Sequence, residues 1–301
     1  MPLAGSMTPD AMPADWEWAA PARLADAHPY PYHNRGPLCR SRPRTRGRTG
    51  RGWRRPIGWL ALVLVWLGAG TASASGLRVE INLPAYSLRL YDGEELVMER
   101  PVTIGSPANP TPVGRWQVRR LIWNPRWMPP PSMDAGRAEP MPPGPDNPMG
   151  AVKLPLTGAI YLHGTSRHRQ LGRPASHGCI RLANADARAL ANQLQRRLLD
   201  QSARTRIVRR RQTSPDRPVA VRLPEPVPVR VRYDPLVLDG RAGVLYPDVY
   251  GRLADPRAYL QHALARGLQV APGALSLAPG GLISRLQRRW DRPLRFDLDI
   301  N

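Results

Sequence analysis

Ser176-His177-Gly178-Cys179-Ile180-Arg181-Leu182 is the stretch on which the reading of this chain turns, with His163-Gly164-Thr165 just upstream. Cys179 is one of two cysteines, and the other, Cys39, precedes an apolar segment with the character of an export signal. Cleavage of that segment would leave one thiol, with no partner for an intramolecular disulfide. A lone thiol in an oxidising compartment is a liability unless it has a chemical task. Two histidines, a glycine and an arginine stand around it, which are the surroundings of a thiolate nucleophile. His163 and His177 are the candidates for proton transfer. Gly178 leaves the backbone unshielded, so its N–H and that of Cys179 can point at a developing oxyanion. Arg181 can lower the thiol pKa or bind a carboxylate. Ser176 and Thr165 can orient a histidine.

Blander readings compete. A lone cysteine is often a small buried hydrophobe, Arg181 can be a surface charge, and His168 between Arg167 and Arg169 reads as a solvated loop residue. A zinc site is the sharper rival, since His163, His168, His177 and Cys179 supply nitrogen and sulfur ligands in the right number. The spacing argues against it. His177 and Cys179 have one residue between them, tighter than the usual ligand gap, and there is no Cys-x-x-Cys. No metal and no cofactor are expected.

Outward from the motif, the chain reads as mainly β. Leu77 to Leu83 alternates apolar and polar with period 2, and Ser87 to Tyr91 repeats the pattern. Asp92-Gly93 is a hairpin signal, with Leu96 to Met98 on the far side. Val102 to Gly105 and Gly114 to Ile122 read as further strands, and Gly158 to Leu162 as a strand that delivers His163 at its end. Residues 123–149 hold nine prolines with Trp123, Trp127, Met128, Met133 and Met141. That is a lid or binding loop, the alternative being a disordered insert. Asn184 is placed to cap a helix with Leu190, Leu194 and Leu198 on one face. Arg204 to Val208 reads as a returning strand.

Residues 211–228 are rich in proline and read as a linker to a small mixed module at 229–301, whose chemistry the sequence does not disclose. From the linker's end onward, Val227 to Val231 and Gly243 to Tyr246 look like strands. Asp255-Pro256 opens a helix, with a cap and then proline at the first position. A last helix runs from about Gly281 to Trp290.

Residues 1–56 are a basic, Pro-, Arg- and Gly-rich pre-sequence without apolar periodicity, read as disordered. An apolar run of 11 residues, Ile57 to Leu67, follows, with Ala72-Ser73-Ala74 as a small-x-small cleavage site. The run is short for a membrane span, which takes about 17–25 residues. Residues 57–74 are therefore expected to export the protein, as a cleaved signal or a retained membrane anchor. The net charge is +21, carried almost wholly by arginine, with Lys153 the single lysine. Removing residues 1–74 leaves 34 basic and 19 acidic side chains, a net charge of +15. Such a charge suits an acidic wall polymer or an anionic membrane as well as nucleic acid. Export excludes nucleic acid as the expected partner.

His163, a gap of 12 residues, and then Ser176 to Arg181 resemble the signature of the L,D-transpeptidase (YkuD-type) catalytic domain family. Asn82-Leu83-Pro84, Thr103-Ile104-Gly105, Thr111 to Gly114 and Gly144 to Gly150 support the resemblance, which covers residues 77–210. It implies a β-sandwich-like domain with the cysteine at the floor of a groove under a mobile loop. It also implies a periplasmic enzyme acting on peptidoglycan stem peptides. Carried over, Cys179 is the nucleophile and His163 the proton acceptor and donor. Ser176, His177, Gly178 and Arg181 shape the site and bind the donor peptide, and Gly164 offers a carbonyl to His163. The thioester would be resolved by an amine of a neighbouring stem or of an envelope protein. Two alternatives stand beside this. One is an L,D-carboxypeptidase or endopeptidase in which water replaces the amine. The other is a non-catalytic wall-binding protein.

Overall fold

The computed structural model describes residues 76–129, 139–239, 242–269, 281–287 and 291–298. The basic pre-sequence, the export segment, Cys39, Met133 and Trp290 lie outside them. Among the described residues, no helix is long and apolar enough to cross a membrane.

The described residues begin with a meander. β1 (Leu77–Asn82) turns back into β2 (Ser87–Asp92), which pairs through Asp92 and Glu95 with β3 (Glu95–Pro101). The tight turn falls at Gly93, whose φ of 58° belongs to the left-handed region that glycine enters without a Cβ clash. After β4 (Ile104–Gly105) come β5 (Gly114–Trp123), β6 (Val152–Thr157), β7 (Ile160–Thr165), β8 (Pro174–Ser176), β9 (Ile180–Ala183) and β10 (Val219–Arg232). Eight of these form one continuous sheet in the order β3-β2-β1-β10-β5-β6-β7-β9, while β4 and β8 pair separately. The sheet is mixed, with β1–β10 and β7–β9 parallel.

The two end strands come together. Just past β3, Thr103 exchanges two 2.9 Å backbone hydrogen bonds with Arg181 in β9. The sheet is thereby nearly closed on itself. The mainly β expectation holds, in the form of one curled sheet. Helix α1 (Asn184–Leu198) lays Ala187, Leu190, Ala191 and Leu194 on the sheet, all fully buried. Each leucine so buried is worth about 1.5–3 kcal/mol. Leu198 is half-buried at the end of that stripe. Trp123, expected in the proline-rich loop, ends β5 and is fully buried.

Three local expectations are corrected. Asn184 does not cap α1: Ala183 holds the cap position, and the Asn184 Oδ1 accepts from the Ala151 N–H at 2.9 Å. Arg204 to Val208 is not a strand but the middle of helix α2 (Gln201–Thr213). Asp200 caps it, accepting from the Ala203 N–H at 2.7 Å. Arg206, Arg209 and Arg210 face solvent, while Arg211 lies over the Trp123 ring, 3.5 Å from its centre.

The linker expected over 211–228 is the third correction. Its first residues end α2, and from Val219 the chain is a 14-residue strand lying between β1 and β5. Val219, Val221 and Leu223 alternate inward, and Val227, Val229 and Val231 resume the alternation after a shift of register between Arg222 and Val227. Pro224 and Pro226 fall in that interruption, where a missing N–H costs the ladder nothing.

The C-terminal module starts beyond Tyr233. It is a three-stranded antiparallel sheet of β11 (Leu236–Asp239), β12 (Ala242–Leu245) and β13 (Leu294–Asp297), with helices α3 (Pro256–Gly267) and α4 (Leu282–Gln287). Asp255 caps α3 through the Ala258 N–H at 3.0 Å, with Pro256 in the first turn as expected. Leu236, Leu245, Leu260, Leu264, Ile283 and Leu286 make its core.

Candidate active site

β7 and β9 lie side by side in parallel, with Leu162 opposite Ile180 and His163 opposite Arg181. Cys179 is the residue before β9, level with Tyr161. Successive side chains of a strand alternate between faces, so Cys179 and Arg181 share a face with Tyr161 and His163. On the other side of β7, Lys153 of β6 is the register partner of His163. His163 therefore stands between two cations, with the thiol one diagonal step away.

His163 is buried and its Nδ1 lies 2.8 Å from the Gly164 carbonyl oxygen. Burial lowers its pKa to about 4, helped by Arg181 and Lys153, against backbone hydrogen bonds to Gly164 and Met149 that pull it up. The imidazole is neutral near pH 7 and able to take a proton. Gly164 has to be glycine for a separate reason: a Cβ there would come within 2.3 Å of the Asn184 Oδ1. The same amide packs against Gly150, so the chain leaving the Gly144–Gly150 segment passes tightly over the His163 strand. That segment is pinned by Asn147, which donates to the carbonyls of Pro125, Met141 and Pro142 at 2.9, 3.2 and 2.8 Å.

Cys179 is half-buried, and its thiol reaches the Ala159 carbonyl at 3.4 Å. Burial raises its pKa, and this outweighs a hydrogen bond from the Tyr161 backbone and the charges of Arg181 and Lys153, which all lower it. Arg181 does pull the thiol pKa down, but desolvation of the sulfur is larger. A neutral thiol thus lies one diagonal step from a neutral imidazole.

The turn into Cys179 is closed by Ser176, which is buried. Its hydroxyl donates to the Cys179 carbonyl at 2.5 Å and accepts from the Gly178 N–H at 3.1 Å. Gly178 sits at φ 102°, open to glycine and strained for other residues. The expectation of two backbone donors for an oxyanion is therefore halved. The Gly178 N–H is already engaged, and the Cys179 N–H is the donor that remains. The Gly178 carbonyl accepts from the Thr111 hydroxyl at 2.9 Å.

The other named residues separate into those near and those apart. The Arg181 guanidinium donates to the Gln170 side chain at 2.9 Å, and its Nε is buried with no partner among the described residues. His177 is exposed, as is His168 in a short 3-10 turn (His168–Gln170). Thr165 is buried and accepts from the Arg167 N–H at 3.1 Å. Sequence reasoning did not place Lys153 or Tyr250 at the site and saw Thr111 only as part of a supporting motif. Being the single lysine is the one signal that marks Lys153 in advance. Its ammonium lies 4.9 Å from the centre of the Tyr161 ring.

Comparison with known proteins bears on residues 76–222, which match the family model described as the L,D-transpeptidase catalytic domain. The Escherichia coli protein named "Probable L,D-transpeptidase YbiS" is 36% identical over 122 residues, 36% of this chain and 40% of that protein. A Bacillus licheniformis protein named YkuD, also as an L,D-transpeptidase, is 31% identical over 116 residues, 38% of this chain and 58% of its own length. The chain thus spans less than two thirds of these relatives. The solved "L,D-transpeptidase from Mycobacterium smegmatis" overlaps 52% of this chain and 58% of its own, with 17% identity and a TM-score of 0.34.

Proposed function

With an L,D-transpeptidase catalytic domain matched over residues 76–222, we propose that this protein is a cysteine-dependent L,D-transpeptidase acting on peptidoglycan stem tetrapeptides. The observation that carries the reading is the placement of Cys179 on the same sheet face as a buried, neutral His163, one strand away, inside the matched domain. The Cys179 sulfur attacks the carbonyl carbon of the third stem residue while His163 takes the thiol proton. The developing oxyanion is met by the Cys179 N–H. Collapse breaks the bond to the terminal D-residue, His163 returns the proton to the departing amine, and a thioester remains. An amine of a neighbouring stem, or of an envelope protein, attacks that thioester, loses a proton to His163 and restores the thiol. A positive His163 is transient in this cycle. Burial, with Lys153 and Arg181 on either side, disfavours the imidazolium, which favours release of its proton to the leaving amine or the sulfur.

Ser176 shapes the turn, Gly164 orients the imidazole, and the half-buried Arg181 guanidinium, on the face shared with Cys179, meets an anionic group of the donor. Gly178 permits the backbone angle and His177 lies at the rim. The protein is exported through residues 57–74, as a cleaved signal or a retained anchor, and works in the periplasm.

Intact mass of the protein after incubation with a purified tetrapeptide stem tests the reading, with and without an amine acceptor. An adduct on Cys179 that clears only with the amine is the expected result. An adduct that water clears equally fast makes the protein an L,D-carboxypeptidase. No adduct at all removes the enzyme assignment and leaves the wall-binding alternative.

A further inference from the structure

Tyr250 lies outside the matched domain, yet its hydroxyl is wired to the turn that holds the nucleophile. It donates to the Gly105 carbonyl at 2.7 Å and accepts from the Thr111 N–H at 3.2 Å, so it clasps both ends of the Gly105–Thr111 loop. Thr111, fully buried, closes the same loop from inside: its hydroxyl accepts from the Gly105 N–H at 2.8 Å and donates to the Gly178 carbonyl at 2.9 Å. The loop has no slack, since a Cβ on Gly105 would lie 2.1 Å from the Asn109 carbonyl oxygen.

The Gly178 carbonyl and the Cys179 N–H belong to one peptide unit, which is planar and trans. A bond that fixes the direction of the carbonyl fixes the opposite direction of the N–H. The hydroxyl of Thr111 therefore aims the one backbone donor left for the oxyanion, and a bond at the oxygen also polarises that N–H.

Tyr250 is itself held on every side. Its N–H donates to the Tyr233 hydroxyl at 2.8 Å, and the two rings stack with centroids 5.7 Å apart. The Tyr233 hydroxyl donates to the Asp248 carboxylate, which also accepts from the N–H groups of Arg252 and Leu253, each at 2.9 Å. The Arg252 guanidinium lies over both rings, at 5.3 and 5.1 Å. Tyr250 and its neighbour Val249 pack on the core of the large sheet, not on that of the module. A residue this constrained can hold a loop in a single position.

We propose that Tyr250 is a positioning residue for the reaction at Cys179, setting the direction of the Cys179 N–H through Thr111 and the Gly178 peptide. The inference rests on the transpeptidase reading for its consequence, but not for the geometry. It gives the segment that follows the large sheet a part in catalysis through the backbone of the Cys179 turn.

Two reactions of the same sulfur separate positioning from general damage. Alkylation by iodoacetamide needs the thiolate but forms no oxyanion, whereas acylation by the tetrapeptide needs both. In the full-length chain, Tyr250→Phe should slow acylation about tenfold and leave alkylation within about twofold. Thr111→Val should do the same more strongly, and Thr111→Ser, which keeps the hydroxyl, should restore the rate. Equal loss in both reactions, or loss in neither, overturns the proposal. If wild-type protein takes no acyl group, the transpeptidase reading fails by itself, and hydrogen exchange still decides this one. Tyr250→Phe should then speed amide exchange across residues 103–112 and 176–181, and unchanged exchange in both segments overturns it.

Discussion

The turn that carries Cys179 is held from two directions, and the holds differ in kind. Ser176 works from within, bonding the Gly178 N–H and the Cys179 carbonyl two and three residues along the chain. Thr111 and Tyr250 work from without, across 67 residues from Thr111 to Gly178 and 139 from Thr111 to Tyr250. The inner hold sets the shape of the turn, and a short peptide could make the same bonds. The outer hold sets how that shape is aimed relative to the sheet that bears His163, which no local sequence can do. A site of this type needs both, because a correct turn aimed wrongly presents its N–H to the wrong place.

The contrast breaks most completely at the two groups that neither hold can replace. Cys179→Ser should abolish the acyl adduct by intact mass, a loss on the order of 10⁴-fold or more, with circular dichroism unchanged. Retained turnover would remove Cys179 from its role. His163→Ala should cost on the order of 10²–10⁴-fold in acylation. Near-normal acylation in that variant would move the base to another group, His177 being the nearest in sequence.

Ser176→Ala tests the inner hold. It strands the Gly178 N–H in a buried turn, so a loss of about 10- to 100-fold in acylation is expected, with a stability cost of about 1–3 kcal/mol. Unlike Tyr250→Phe, it should also disturb alkylation, because the turn itself loosens. If the two variants behave alike in both reactions, the distinction between shape and aim is wrong.

Stability against pH sharpens the comparison from the side of His163. Its folded pKa, about 4, lies below the ordinary value of 6.5. The unfolded chain therefore binds a proton that the folded chain refuses between those values, and stability falls as pH drops from 6.5 to about 4. Above 6.5 this effect is absent. The loss is roughly 3 kcal/mol across the window. Urea melts of wild type and His163→Gln at pH 7 and pH 4 should show that the variant lacks this part of the slope. Parallel losses would mean that His163 titrates normally.

The smallest effect on chemistry is expected in the module core. Leu260 is fully buried among Leu236, Leu264 and Ile283, so Leu260→Ala should cost about 2–5 kcal/mol there. Acylation at 25 °C should stay within about twofold, since Tyr250 and Val249 pack on the other core. A large kinetic loss would show that the module acts through its own packing as well as through Tyr250.

Sequence alone determined the turn that carries Cys179 and much of the sheet. A residue such as Gly178 or Ser176 acts over two or three positions, and strand alternation such as Val79 and Ile81 repeats every second residue, so both signals are local. The linker expectation failed for the same reason. Pro224 and Pro226 are local breaker signals, and only the pairing of Val219–Arg222 and Val227–Val231 with β5 shows that they sit in a register shift of a central strand. Tertiary structure decided the rest. The sum of burial, Lys153 and Arg181 holds His163 neutral, and burial keeps the Cys179 thiol protonated against the cations beside it. Tyr250 reaches the active-site loop because the chain returns through β10 to the same end of the sheet. Electrostatics and hydrogen bonds act through space, and residues 139 positions apart meet only once the chain has folded.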